Sequence, residues 1–233
     1  MEAGHHLLEG GEPDRAYELL GTASEWLQDR GRVREGLGIL EPFLAERVLR
    51  ALKPELAGRL LGTVGTGHYR LGEVEKAIGC HEQALVISRE IGYRRGEGED
   101  LGNLGLAYAD LGEVEKAIGY YEQALVISRE IGDRRGEGNR LGNLGLAYAD
   151  LGEVEKAIGY HGQALVIARE IGDRRGEGSD LGALGLAYAR LGEVEKAIGY
   201  TEQALRIGQE IKDPRIVRNA SAQLEELRGS SAS

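Results

Sequence analysis

Cysteine is almost missing from this chain. Its 233 residues include one, Cys80, which excludes an internal disulfide and a cysteine-based zinc site and fits a reducing compartment, so the cytoplasm is the expected location. Long apolar runs are missing too. No stretch approaches the ~18 apolar residues of a membrane span. The start, Met1 to Gly10, carries His5, His6 and Glu9 where a secretion signal needs a basic region and an apolar core. Positive charge is in deficit: 29 Lys and Arg stand against 39 Asp and Glu, a net charge of -10. Nucleic acid and anionic membrane are therefore excluded as expected partners, because both draw their affinity from Lys and Arg on phosphate.

What is present is a repeat. Apolar residues make up 41% of the chain, enough for a core, and 37 glycines accompany only four prolines. The glycines recur at fixed places. Shifted by 40 residues, the chain matches itself as Leu61 to Asp100, Leu101 to Arg140, Leu141 to Asp180, and Leu181 onward, and the middle two copies differ at five positions. Within one copy the apolar residues are Leu101, Leu104, Tyr108 and Leu111, then Val114, Ala117, Ile118, Tyr121, Ala124, Leu125 and Ile131. Steps of three and four predict two amphipathic helices of about 17 residues, each roughly 25 Å long. Gly112 ends the first helix and Glu113 opens the second. Gly132 and Asp133 punctuate the next boundary, one as a terminator and the other as a cap, and Gly172-Asp173 repeats them. Period-two alternation is absent, so no strand is expected.

Leu104-Gly105-x-x-Tyr108, Ala117 and Ala124 carry a family resemblance, repeated as Leu144, Gly145, Tyr148, Ala157, Ala164 and as Leu184, Gly185, Tyr188, Ala197, Ala204. The pattern resembles the tetratricopeptide signature; the first copy is looser, with Val64, Gly65 and His68. Leu101 stands where that family often has tryptophan and Arg129 where it often has proline, and the unit exceeds the usual ~34 residues. Units this long resemble those of kinesin light chains, spindle-orientation adaptors and the repeat sensors of bacterial signalling ATPases. The resemblance implies an all-α fold: a right-handed superhelical solenoid of antiparallel helix pairs, closed by capping helices at both ends.

The expected organisation follows. Residues 1–52 form a divergent helical cap or lead-in, with a helix from Pro13 to Asp29 bearing Ala16, Leu19, Leu20, Ala23, Trp26 and Leu27, and a second from Val33 to Leu49 broken at Pro42. Residues 53–212 hold four repeat units. Residues 213–229 form the sealing helix that a solenoid needs, and 230–233 a frayed tail.

Catalytic chemistry is not expected. Gly62 to Gly67 invites a phosphate-loop reading, but no strand precedes it and no Lys-Ser or Lys-Thr follows. His81 and His161 fall on the core side of the second helix and are expected to pack there, partly buried, with no metal. Cys80 replaces Tyr120, Tyr160 and Tyr200 as a small filler. The carboxylates repeat identically, whereas a general acid and base form a unique pair. No cofactor is expected.

The resemblance implies that the first helix of each unit lines a concave, ligand-binding face. That assigns Arg70, Glu99, Asn103, Leu106, Asp110, Asn143, Leu146, Asp150, Leu186 and Arg190 to a groove for a protein or extended peptide, with the amides of Asn103 and Asn143 suited to a peptide backbone. Reading Arg70, Asp110, Asp150, Arg190 as basic, acidic, acidic, basic favours a ligand of mixed or centrally basic charge. Two readings follow: a protein-interaction scaffold, as in the sensor segment of a larger signalling protein, or self-assembly into a homo-oligomer.

Overall fold

The computed structural model describes residues 2–230, and every regular element among them is helical. Met1 and residues 231–233, which hold most of the expected tail, lie outside the described residues. The chain forms two compact units that divide between Glu113 and Val114. The first contains α1 (Glu2–Glu9), α2 (Pro13–Asp29), α3 (Val33–Leu40), a 3-10 turn (Glu41–Leu44), α4 (Glu46–Leu49), α5 (Pro54–Arg70), α6 (Val74–Glu90) and α7 (Arg94–Asp110). The second contains α8 (Val114–Glu130), α9 (Arg134–Asp150), α10 (Val154–Ile171), α11 (Arg174–Arg190), α12 (Val194–Glu210) and α13 (Pro214–Ser230). Within each unit consecutive helices pack side by side: α5 on α6 and α6 on α7, then each of α8 to α12 on its successor.

The repeat residues pack as small against large. Leu144 and Leu184 are buried, as are Ala157, Ala164, Ala197 and Ala204, and each buried leucine contributes roughly 1.5–3 kcal/mol. Leu181, at the position of the family's tryptophan, is also buried. The first unit has its own core of Tyr17, Leu20, Phe43, Leu60 and Val64, in which the rings of Tyr17 and Phe43 meet edge-on at 5.7 Å. Two residues of the expected apolar stripe of α2 point elsewhere. Leu19 and Trp26 are half-exposed, and the indole is covered by the Arg30 guanidinium at 4.0 Å. Their place inside is taken by polar Ser24, whose hydroxyl donates to the Gly36 carbonyl at 2.7 Å, and by Gln28, whose amide donates to Ser24 at 3.2 Å.

Helix ends follow the punctuation. Gly112 and Gly132 have φ of 77° and 68°, a left-handed turn that favours glycine. Asp133 and Asp173 then cap α9 and α11 by accepting from the amides of Gly136 and Gly176 at 3.0 and 2.9 Å. At the last boundary Lys212 occupies the glycine position with φ of 56°, so Lys212→Gly should stabilise the chain by about 1 kcal/mol in a denaturant melt.

The helix-interior glycines fall into two kinds. A Cβ on Gly145 would lie 2.6 Å from the His161 ring, and one on Gly185 would lie 2.3 Å from Thr201 Oγ1; these glycines let paired helices cross closely. A Cβ on Gly119 or Gly159 would meet nothing within 4 Å. The same melts should therefore show Gly159→Ala gaining about 0.5–1 kcal/mol and Gly145→Ala losing about 1–3 kcal/mol, because the His161 ring is held and cannot yield.

Candidate functional site

The first helices of successive repeats border a cleft in each unit. In the first unit a cavity of about 480 Å³ lies against α2, α5 and α7. Arg70, Glu99 and Asn103 line it, and acidic groups dominate: Glu25, Asp29, Glu55, Glu99 and Asp100 against Arg59 and Arg70. In the second unit a cavity of about 360 Å³ lies between α9 and α11, floored by Ala164, Ile167 and Ala168 of α10. Asn143 and Leu146 line it, and here the basic groups outnumber the acidic ones, Arg135, Arg175 and Arg215 against Asp173 and Asp180.

The remaining expected residues stand beside these clefts rather than in them. Leu186 and Leu146 are about half exposed, and Leu106 is half-buried. Asp110, Asp150 and Arg190 end α7, α9 and α11 and are exposed. Three of the four charges read as a pattern have partners within the protein. Asp110 accepts from the Tyr69 hydroxyl at 2.7 Å, Arg190 donates to the Ala149 carbonyl at 2.9 Å, and Arg70 approaches Asp29 at 3.8 Å.

The histidines are more than packing. His81 and His161 are almost fully buried, at 1% and 3% exposure. Nδ1 of His81 lies 3.1 Å from Asp100, which also accepts from Ser88 at 3.4 Å, and Nδ1 of His161 lies 2.9 Å from Asp180. Each pair joins the second helix of one repeat to the first helix of the next. Burial raises the carboxyls of Asp100 and Asp180 above the ordinary range, and the adjacent imidazole partly offsets it. A polar partner was needed because a buried carboxyl without one costs several kcal/mol. The signal was in the sequence: Tyr121 and Arg140 are replaced together by His161 and Asp180, two of the five differences between the middle copies. Where the fourth copy has Thr201 and Ala220, the hydroxyl turns back to the Ala197 carbonyl at 2.8 Å.

A second junction contact was also missed. Glu137 is buried between Arg129, at 2.8 Å, and Arg134. Burial pushes its carboxyl up, but the two guanidiniums outweigh that and hold it below the usual range. The same clamp recurs as Arg89, Arg94 and Glu97, and as Arg169, Arg174 and Glu177. Arg129, Arg89 and Arg169 thus have a reason to stand where the family often has proline.

The glycine run Gly62 to Gly67 lies inside α5, where a Cβ on Gly65 would meet His81 at 2.8 Å and one on Gly67 would meet Leu37 at 2.7 Å, so these two glycines serve close helix packing. Burial pushes the Cys80 thiol up, away from the reactive thiolate. Tyr148 stacks on Tyr160 at 5.2 Å with Lys156 over its ring, and Tyr188 stacks on Tyr200 at 5.3 Å. Among the described residues no helix is long and apolar enough to cross a membrane.

Comparison with known proteins agrees with this geometry. The tetratricopeptide repeat family profile matches residues 56–130 and 138–210, and the chain belongs to that family. No curated protein matches the sequence. Among solved structures, BtubC (BKLC) from P. vanneervenii is similar with a TM-score of 0.76 at 22% identity, over 91% of this chain and 88% of that one. The signal transduction ATPase with numerous domains (STAND) carrying a tetratricopeptide repeat sensor, from Pyrococcus horikoshii, gives 0.77 at 20% identity, over 99% of this chain and 38% of that one. A Rap protein complexed with competence and sporulation factor gives 0.74 at 18% identity, over 91% of this chain and 62% of that one. At these identities the likeness establishes the fold.

The matched pairs make a swap testable. His161→Tyr alone, which leaves Asp180 buried beside a bulkier ring, should cost about 2–4 kcal/mol. The double change His161→Tyr with Asp180→Arg, which copies Tyr121 and Arg140, should recover most of it in urea melts.

Proposed function

We propose that this chain is a scaffold that binds a protein or an extended peptide along the first-helix faces of its repeats. The observation that carries the proposal is where the near-identical copies differ. Apart from the buried pairs and the internally bonded helix ends Asp110 and Arg190, the variable first-helix positions are exposed or half-exposed: Glu99, Asn139 and Ser179; Asn103, Asn143 and Ala183; and Asp150. Several of them line the two clefts. Asp150 adds to the case, because an acidic residue at the negative end of α9 opposes the helix dipole and weakens the helix. A residue kept against local stability is suited to a ligand.

The amides of Asn103 and Asn143 offer a donor and an acceptor to a peptide backbone, and Leu146 offers exposed apolar surface beside Asn143. The Rap structure, with a named factor bound to the same kind of fold, supports a ligand-binding role. The STAND protein, of which this fold forms a part, supports its finer form, a sensor segment within a signalling protein.

Random peptides displayed and selected on the chain test the proposal. Selected peptides should lose about tenfold or more in affinity on Asn143→Ala with Leu146→Glu, or on Asn103→Ala, by fluorescence anisotropy. Peptides that bind all variants alike would move the ligand off this face. Concentration-dependent growth in light scattering with no peptide present would favour the homo-oligomer reading instead.

A further inference from the structure

The cleft of the second unit carries a regular feature that the family signature does not require. Arg135, Arg175 and Arg215 recur at intervals of 40 residues, each the second residue of its helix, α9, α11 and α13. All three line one cavity. They stand at the positive ends of three helix dipoles, so arginine there is unfavourable for each helix. Two of the three have a counter-charge within the protein and keep exposed side chains. Arg135 is 3.7 Å from Asp173 with its side chain 70% exposed, and Arg175 contacts Asp213 at 2.7 Å with its side chain 69% exposed. The Arg215 guanidinium makes no ion pair among the described residues. The remaining acid of the lining, Asp180, is turned to His161.

The rest of the cleft is neutral. Its floor is Ala164, Ile167 and Ala168, and Asn143 and Leu146 stand on the α9 wall. In the first unit Glu55 of α5 holds the position that Arg135 holds here, Arg95 of α7, the counterpart of Arg175, is not among the residues that line the cleft, and the cleft is acidic. The basic cleft is therefore a local property, in a chain whose net charge is -10.

We propose that the cleft of the second unit binds an extended acidic peptide, its carboxylates on the Arg135, Arg175 and Arg215 rim and an aliphatic side chain on the alanine and isoleucine floor. The inference rests on the reading of the first-helix face as the ligand face and specifies its ligand. It replaces the mixed or centrally basic ligand suggested by Asp110 and Asp150. Packed helices stand about 8–10 Å apart, the span of about three residues of an extended polyproline II chain, whose three residues per turn return every third side chain to the same face, so acidic residues at every third position meet successive arginines.

The probe is a labelled nonapeptide in which Asp-Leu-Ser is written three times, compared with Lys-Leu-Ser and Ser-Leu-Ser counterparts by fluorescence anisotropy on the whole chain. The acidic peptide should bind best, weaken with salt, and lose about tenfold or more on Arg135→Glu with Arg215→Glu. Both side chains are exposed, and circular dichroism together with an Arg135→Gln, Arg215→Gln variant separates lost charge from lost fold. Arg175 is left in place because it holds Asp213. Equal binding of the acidic peptide to parent and charge-reversed chains, or no binding of it at all, would overturn the proposal. Binding of the Ser or Lys peptide alone, abolished by Leu146→Glu, would overturn the acidic ligand and leave the first-helix face standing as the binding surface.

Discussion

Every repeat junction depends on a buried glutamate held by two arginines. A helix pair of this kind cannot cover its own apolar face and is stable only when the next pair stacks on it. Stacking must also fix the turn between them, and Glu137 does that by joining Arg129 on the outgoing helix to Arg134 on the incoming one. Glu137 is 7% exposed, so its charge is removed from water and requires both partners. Three identical clamps make three equivalent junctions, which is why one sentence can be written repeatedly into one chain.

Identity between junctions carries a hazard, because equivalent surfaces can pair out of register or between chains. The histidine–aspartate contact answers this. His81 with Asp100 and His161 with Asp180 are hydrogen-bonded pairs, while Tyr121 and Arg140 occupy the same two positions in the copy between. A slip by one repeat would bring a buried aspartate against tyrosine, or an arginine against histidine, and leave a polar group unmatched in a dry interface. The cost of such a mismatch exceeds the gain from a correct pair, so the alternation acts against wrong partners more than for right ones.

Much of the fold was legible because it rests on period and punctuation. The breaks at Gly112, Gly132 and Asp133 and the bounds of the helix from Pro13 to Asp29 coincide with helix ends in the structure. These are local rules, fixed by backbone sterics and capping. Leu19 and Trp26 were misassigned for an equally physical reason: helical spacing identifies a stripe, but Ser24 and Gln28 bond to each other and to Gly36 inside it, and the choice of buried face was tertiary. The histidine pairs escaped notice because each was considered within its own helix, while its partner lies 19 residues on in the next.

That last point separates structure from recognition in a repeat of this kind. Differences between near-identical copies that arrive in matched sets, such as Tyr121 with Arg140 against His161 with Asp180, are compensated inside the protein and say little about a ligand. Differences with no internal match, such as Asn139 against Ser179 or Asn143 against Ala183, relieve no packing problem, since these side chains are exposed or half-exposed. The expected groove residues divide by the same criterion. Asp110 is bonded to Tyr69, and Arg190 to the Ala149 carbonyl, so both have structural work. Asn143 and Leu146 line a cleft with a basic rim, and the chemistry of that cleft is what remains for a partner to meet.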